Sequence, residues 1–253
     1  LTDGTADWLW SAAEKAGIFK PGCPAFSPSL PPAALRSISG RARAVDAPLV
    51  VVAKAWQARN HDWQGNSQIL VSGRRRCKLG LLGARQGRNV ALVEAALRSA
   101  KSEFPVSPEA WRRGLESVRL AGRFEVLRVG KKTAILDGAH NTEAVAQLVG
   151  TLRASPWREG DVLWILGVMK DKDWRGIVRK IAPLLREVVV VRPPSPRALD
   201  ALVLAGEIRR QAPRARVNVE SDPDTALRRW FSRGGGPRAA MVAGSFYLVG
   251  RAR

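Results

Sequence analysis

The stretch over residues 133–142, TAILDGAHNT, combines residue types that could do chemistry. A short apolar strand over 133–136 leads into a tight turn, and Asn141 stands where a helix N-cap is expected. Asp137 could accept from a hydroxyl or an ammonium, and His140 could carry a proton or contact a phosphate. The free N–H groups at the helix start could bind an anion. The alternative interpretation is a capped turn with a solvated aspartate and an incidental histidine.

The elements that must position this stretch follow from the pattern of apolar residues after it. The helix that begins at Asn141 carries its apolar residues at helical spacing: Val145, Leu148, Val149 and Leu152. Further strands are predicted at 162–166, 188–191, 215–219 and 240–249, and further helices at 174–185, 196–211 and 222–232. Short strands that alternate with ten-residue helices favour an open, mostly parallel sheet covered on both faces.

The first half of the chain is less regular. Helices are predicted at 7–16, with Gly17 as the stop, at 31–45, from Val90 onward, and after the Ser107-Pro108 start signal. A buried strand is predicted at 48–53, and residues 60–76 are predicted to be irregular or antiparallel. The chain of 253 residues is long enough for one large or two modest domains.

The chain is strongly basic, with 42 Lys and Arg against 22 Asp and Glu and a formal net charge of +20. Nucleic-acid binding is therefore one hypothesis, and it predicts an association that weakens as salt rises. The basic residues are spread along the chain without a zinc-finger or RNP-like pattern, which favours a solvated surface that includes a site for acidic ligands. No apolar run approaches a membrane span, and Cys23 and Cys77 lack metal-ligand spacing, so a cytoplasmic protein without a membrane partner is expected.

Residues 135–141, ILDGAHN, resemble the LDGAHNP signature of the folylpolyglutamate synthase/dihydrofolate synthase family, which belongs to the Mur ligase superfamily. Other segments resemble that family in the same order: 14–22 its EKAGIxKPG, 79–89 its LLGxHQxxN, 118–126 its WPGRxEV, 167–173 its GxxxDKD, 195–198 its PRA, and 243–250 its TGSxYLVG. Two positions depart from the pattern, because Arg85 replaces a histidine and Ala121 replaces a proline.

The resemblance covers about the C-terminal three-fifths of the family and implies an α/β fold in two parts. Residues 1–117 would be a truncated P-loop-type Mur ligase central domain, and residues 118–253 a Rossmann-like C-terminal α/β domain with a mostly parallel sheet. The sequence contains no GxxxxGK[ST] phosphate loop. A fragment is therefore expected, with a sheet edge and apolar surface that a missing N-terminal half would cover.

The activity that the resemblance implies is ATP-dependent addition of L-glutamate to dihydropteroate and/or folylpoly-γ-glutamate through an acyl phosphate, with ATP and Mg²⁺ as cofactors. The roles that it implies are Lys15, as a carbamate, at Mg²⁺; Asn89, Arg123 and Asp137 at the nucleotide; and His140 and Ser245 near the incoming glutamate and the acyl phosphate. A carbamate would turn a cation into a hard oxygen ligand suited to Mg²⁺.

Simpler interpretations of these residues stay open. Lys15 and Arg123 could be ordinary surface residues, Asn89 a helix cap, and Ser245 a strand-end hydroxyl. The chain could also be a non-catalytic remnant or a partner subunit with residual nucleotide binding, while nucleic-acid binding is the third hypothesis. The expected partners are the small-molecule substrates and a missing N-terminal half on the same or another chain.

Overall fold

The computed structural model describes residues 12–157 and 162–253. The chain divides into two compact units. The first consists of residues up to Gln57, Leu70–Arg76 and Arg85–Arg113, and the second of Ala58–Ile69, Cys77–Ala84 and Gly114–Arg253. The division into family domains at 117/118 stays a prediction.

The first unit contains a short parallel sheet and the helices that pack near it. Strand β1 (Ala25–Pro28) pairs in parallel with β2 (Leu49–Val52), and α1 (Pro32–Ala44) connects them. Residues 12–16 are helical, whereas 7–11 of the predicted first helix lie outside the described residues. The buried face of α1, with Ala34 and Ile38, packs against Ala12 and Ala16. The helix predicted from Val90 onward begins earlier, as α2 (Arg85–Ser99).

The prediction that the strand at 48–53 is buried was wrong. Val50 and Val51 of β2 are 42% and 41% exposed. Within the described part of the chain, β2 pairs only with β1, so the sheet has two strands and leaves much of β2 open to solvent. An apolar run predicts a strand, but its burial depends on what else packs there.

Three further strands form a separate sheet in the order β3-β4-β5: β3 (Gln57–Asp62), β4 (Ser67–Ser72) and β5 (Arg75–Leu79). They account for the segment that was expected to be irregular or antiparallel. The connections between them are too short for a parallel crossover. The next helix, α3 (Pro108–Ser117), begins as predicted, because the N–H of Ala110 donates to Ser107 Oγ at 3.1 Å.

The second unit is built on a six-stranded sheet in the order β10-β9-β8-β11-β7-β6. Its strands are β6 (Glu125–Val129), β7 (Lys132–Asp137), β8 (Val162–Leu166), β9 (Glu187–Val191), β10 (Arg216–Glu220) and β11 (Ala239–Ala243). All pairs are parallel except β6 with β7. The mostly parallel sheet confirms the predicted fold class, although β6 was not predicted as a strand.

Helices cover both faces of this sheet: α4 (Thr142–Arg153), α5 (Trp174–Ile181), α6 (Ala201–Gln211), α7 (Pro223–Ser232) and α8 (Phe246–Ala252). Ile135 of β7 lies in the core beneath α4, α5 and α6, whereas its neighbours Ala134 and Leu136 lie in the core beneath α7 and α8. Successive residues of a strand point to opposite faces, so a strand covered on both sides reads as a continuous apolar run.

Several predicted elements have different bounds in the structure, and two of them differ for a clear local reason. The helix predicted at 196–211 begins at Ala201, because Asp200 Oδ1 accepts from the N–H groups of Leu202 and Val203 at 2.8 and 3.2 Å. The closing strand predicted at 240–249 ends at Ala243, and α8 begins after Ser245. Gly244 makes the turn with a φ of 105°, which L side chains rarely adopt. In the described ranges, no helix is both long and apolar enough to cross a membrane.

Candidate functional site at the carboxyl edge of the sheet

Three loops that resemble family segments, those after β7, β8 and β11, meet at one edge of the six-stranded sheet. In the strand register, Ala243 at the end of β11 lies beside Asp137 on one side and beside Leu166 on the other. The turns that follow β7, β8 and β11 therefore start side by side at the carboxyl ends of parallel strands. This edge is where open α/β sheets ordinarily bind ligands.

Asp137 ends β7 and holds two loops together through its carboxylate. Its Oδ2 accepts from the N–H of Phe124 at 2.9 Å, and its Oδ1 accepts from the N–H of Ala139 at 2.8 Å. Phe124 has a φ of 46°, an uncommon backbone conformation for a residue with a side chain. Asp137 thus fixes the loop that carries Arg123 against the turn after β7.

Burial raises the pKa of Asp137 from 3.8 to about 6. The two backbone N–H donors and the charge of nearby Arg123 favour the ionised carboxylate and offset only part of this effect. The carboxyl group can therefore change its protonation state close to neutral pH.

His140 lies between the turn and the start of α4. Its Nδ1 is 2.8 Å from the carbonyl oxygen of Gly138, so Nδ1 carries the proton and donates it to that oxygen. Its Nε2 has no hydrogen-bond partner among the residues that the structure describes and is available to a ligand. Asn141 caps α4 as predicted, since its Oδ1 accepts from the N–H of Ala144 at 2.8 Å.

The guanidinium of Arg123 lies over the ring of Phe246, 4.7 Å from the ring centroid. Arg123 is half-buried, and no ion pair or side-chain hydrogen bond joins it to any other described residue. The cation–π contact holds the guanidinium in place while leaving its N–H groups able to donate to a ligand. Arg123 is therefore suited to bind a phosphate or a carboxylate.

Phe246 was not predicted to belong to the site, although the segment that contains it was. Its ring also lies 5.6 Å from the ring of His140, and a Cβ added at Gly138 would be 2.2 Å from Phe246 Cε1. The ring therefore touches three of the groups that form the edge. The sequence offered one indication, since Phe246 is the variable residue of the segment that resembles GSxYLVG. That segment was predicted to be part of a strand, which did not suggest a contact with Arg123 or His140.

Ser245 is 1% exposed and caps α8. Its Oγ accepts from the N–H of Tyr247 at 3.1 Å, so the hydroxyl hydrogen remains able to donate. Ser245 is thus a helix cap at the end of the turn after β11, rather than the end of a strand.

The segments at 167–173 and 195–198 lie against each other. Lys170 N–H donates to the carbonyl of Arg197 at 2.9 Å, and the Arg197 guanidinium contacts Asp171 Oδ2 at 3.3 Å. Asp173 caps α5, since its Oδ1 accepts from the N–H of Gly176 at 2.8 Å. Both aspartates therefore have structural partners.

Lys15 and Asn89 belong to the first unit, whereas the other four predicted site residues belong to the second. Lys15 is exposed in the helical segment 12–16. Asn89 is exposed within α2 and its Nδ2 donates to Gln86 Oε1 at 2.9 Å, so it does not cap that helix. Within 12–157 and 162–253, no three His, Cys, Asp or Glu residues form a group that could hold a metal ion.

The family of the Mur ligase glutamate ligase domain matches residues 122–246. This range contains all six strands of the sheet and the turns at its carboxyl edge.

Longer proteins match nearly the whole chain. The dihydrofolate synthase/folylpolyglutamate synthase of Bacillus subtilis is 27% identical over 247 residues, which cover 94% of this chain and 56% of that protein. The crystal structure of Mycobacterium tuberculosis folylpolyglutamate synthase complexed with ADP and AMPPCP matches with a TM-score of 0.79 and 25% identity, covering 97% of this chain and 58% of that one. The bifunctional enzyme of Yersinia pestis, complexed with AMPPNP and Mn ion, has a TM-score of 0.71 and 29% identity over 96% of this chain and 55% of its own.

The chain belongs to the folylpolyglutamate synthase/dihydrofolate synthase family. It spans a little over half the length of the relatives described above.

Proposed function

We propose that the chain is part of an ATP-dependent ligase that adds L-glutamate to dihydropteroate and/or folylpoly-γ-glutamate through an acyl phosphate. The observation that carries the proposal is the Arg123 guanidinium, held on Phe246 beside Asp137 at the carboxyl edge of the sheet. The two solved structures named above support it, since one holds ADP and AMPPCP and the other AMPPNP with Mn ion.

Arg123 would contact the nucleotide phosphates. A guanidinium without an ion-pair partner in the described structure can give two parallel hydrogen bonds to a phosphate. Asp137 would accept from a hydroxyl of the nucleotide while its backbone contacts keep the Arg123 loop in place. Most of the rate acceleration in such a transfer comes from positioning and from neutralising the charge of the transferred phosphoryl group.

His140 and Ser245 would act at the acyl phosphate and the incoming glutamate. With Nδ1–H bonded to the Gly138 carbonyl, the neutral imidazole presents the Nε2 lone pair, which can accept a proton from the glutamate amine. The Ser245 hydroxyl can donate to an oxygen of the acyl phosphate. Attack of the amine forms the amide bond and breaks the carbon–oxygen bond to phosphate.

The metal roles rest on the resemblance alone. Mg²⁺ would neutralise the phosphate oxygens of ATP, and Lys15, as a carbamate, would supply one oxygen ligand. The described residues do not complete a metal site around Lys15, so further ligands would have to come from elsewhere. Asn89 would lie near the nucleotide on the same resemblance.

Calorimetric titration with AMPPNP tests the nucleotide site. Arg123→Ala combined with Asp137→Ala should weaken binding at least tenfold, because both phosphate and hydroxyl contacts are lost. The control is Arg179→Ala, which removes one exposed charge from α5. Unchanged affinity in the double variant would contradict the site and favour a non-catalytic remnant.

Glutamate-dependent ADP formation with dihydropteroate or a folate as acceptor tests the reaction itself. The native protein, with any companion chain that co-purifies, should form ADP only when both glutamate and acceptor are present. If the native assembly shows no turnover, while nucleotide binding is lost in the double variant, the chain would instead be a subunit that binds nucleotide without catalysis.

A further inference from the structure

A cavity lies at the opposite edge of the six-stranded sheet from Asp137. It has a volume of about 770 Å³ and is lined by residues at or just before the first residues of β7, β9, β10 and β11. Five of the described arginines line it: Arg186, Arg214, Arg216, Arg233 and Arg238. It is therefore separate from the ligase site, which is formed where the strands end.

The charge of this cavity is poorly neutralised by its own lining. Among the described residues that line it, Glu187 is the only acidic one, and its Oε1 is already 2.6 Å from Arg233 Nη1. Arg214, Arg216 and Arg238 are exposed, and their side chains have no ion pair or hydrogen bond to the parts of the chain that the structure describes. Several positive charges that line one cavity favour a ligand that carries several negative groups.

An aromatic cavity of about 420 Å³ adjoins the arginine-lined one. Both are lined by Thr133, Pro156 and Trp157, so they share a wall. In the smaller cavity His61 stacks on Trp63, with ring centroids 4.6 Å apart and an interplanar angle of 14°. The edge-on contact between Trp63 and Trp157, at 6.0 Å, connects this stack to the shared wall.

We propose that the two cavities form one binding site for a ligand with a planar heteroaromatic ring and a tail of two or more anionic groups. The ring packs on the faces of His61 and Trp157, and the tail reaches Arg214, Arg216 and Arg238. A γ-glutamyl-extended pterin and a nucleoside triphosphate share this chemistry, one through carboxylates and the other through phosphates. The site does not depend on the proposed ligase reaction.

Calorimetric titrations with pteroyl-tri-γ-glutamate, and with ATP in EDTA, test the site and distinguish its two possible sources of ligand. The triple variant Arg214→Ala, Arg216→Ala, Arg238→Ala should bind one of the two probes at least tenfold more weakly. The matched control carries Arg36→Ala, Arg41→Ala and Arg43→Ala, three exposed arginines of α1 in the first unit. This control should change the affinity less than twofold, and thermal unfolding should show that both variants are folded.

The ring subsite has its own test. His61→Ala should lower the affinity for whichever probe binds by severalfold. The affinity for the tail of that probe alone, which is tri-γ-glutamate or tripolyphosphate, should stay unchanged. If His61→Ala lowered the affinity for the tail as much as the affinity for the whole probe, the proposal of separate ring and tail subsites would be overturned.

Three other outcomes would overturn the proposal. Equal losses in the two triple variants would mean that binding follows net charge. Loss of binding in Arg123→Ala but not in the arginine triple would assign the ligand to the carboxyl edge, and would leave the proposed function intact. Binding of a single-stranded oligonucleotide in preference to both small probes would indicate a nucleic-acid surface.

Discussion

Replacing Asp137 by asparagine should remove a pH-dependent contribution to the stability of the second unit. The Asp137 carboxyl is partly buried between the Arg123 loop and the turn after β7, and its pKa is about 6 in the folded protein. In the unfolded chain the same group would titrate near 3.8. The folded state therefore binds the proton more tightly than the unfolded state does.

The sign and size of the effect follow from this difference. Because the folded pKa is raised, the stabilisation is complete below about pH 4 and disappears as pH rises through about 6. A shift of a little over two pKa units corresponds to about 3 kcal/mol, most of which is lost between pH 4 and 7. Asparagine keeps one oxygen that can accept a hydrogen bond, but its NH₂ group would face the second backbone N–H donor. The lost hydrogen bond lowers the free energy of unfolding by about 1–2 kcal/mol at every pH.

Urea unfolding between pH 4 and 8 measures the effect, followed by both circular dichroism and tryptophan fluorescence to check that the transition is two-state. The free energy of unfolding of the native chain minus that of Asp137→Asn should fall by about 2 kcal/mol from pH 4 to 7. Taking the difference cancels the other titrating groups. A difference that stays constant, or that increases with pH, would refute the burial argument for Asp137.

Two further substitutions test the local geometry of the site. Gly138→Ala places a Cβ 2.2 Å from Phe246 Cε1, so the Phe246 ring, which is 41% exposed, should turn outward. The Arg123 guanidinium then loses its contact with this ring, and AMPPNP should bind about twofold to fivefold more weakly. The control is Gly150→Ala, where nothing lies within 4 Å of the added Cβ, and it should leave the affinity for AMPPNP unchanged. Asn141→Ala removes the cap of α4 and should lower the urea-derived stability by about 1 kcal/mol, and Asn141→Ser should recover most of it. Unchanged AMPPNP binding in Gly138→Ala, or a serine variant as unstable as alanine, would contradict these contacts.

The elements that sequence patterns predicted well are those whose cause is local. The cap at Asn141 and the buried residues of α4 depend on spacing within one helix turn or two, and the structure confirms both. Strand β8 was predicted at its observed bounds, because a short apolar run between turn signals fits a strand buried on both faces.

The failures have nonlocal causes. Residues 246–249 read as the continuation of β11, yet they are helical because Gly244 reverses the chain and Ser245 caps the new helix. β2 was expected to be buried, but the burial of its valines depends on neighbouring strands that a local pattern does not specify. β6 was not predicted, and it is assigned as a strand only by its antiparallel pairing with β7.

By itself, the sequence determined the family, the alternation of strands and helices in the second unit, and which segments carry the candidate site residues. These three properties follow from the order and spacing of residues along the chain, which can be observed in the sequence. Only the tertiary structure decided that Phe246 covers Arg123 and approaches His140, and that arginines from separate loops line a cavity at the opposite edge. Those contacts join residues far apart in the chain, and the strand order and register of the folded sheet bring them together.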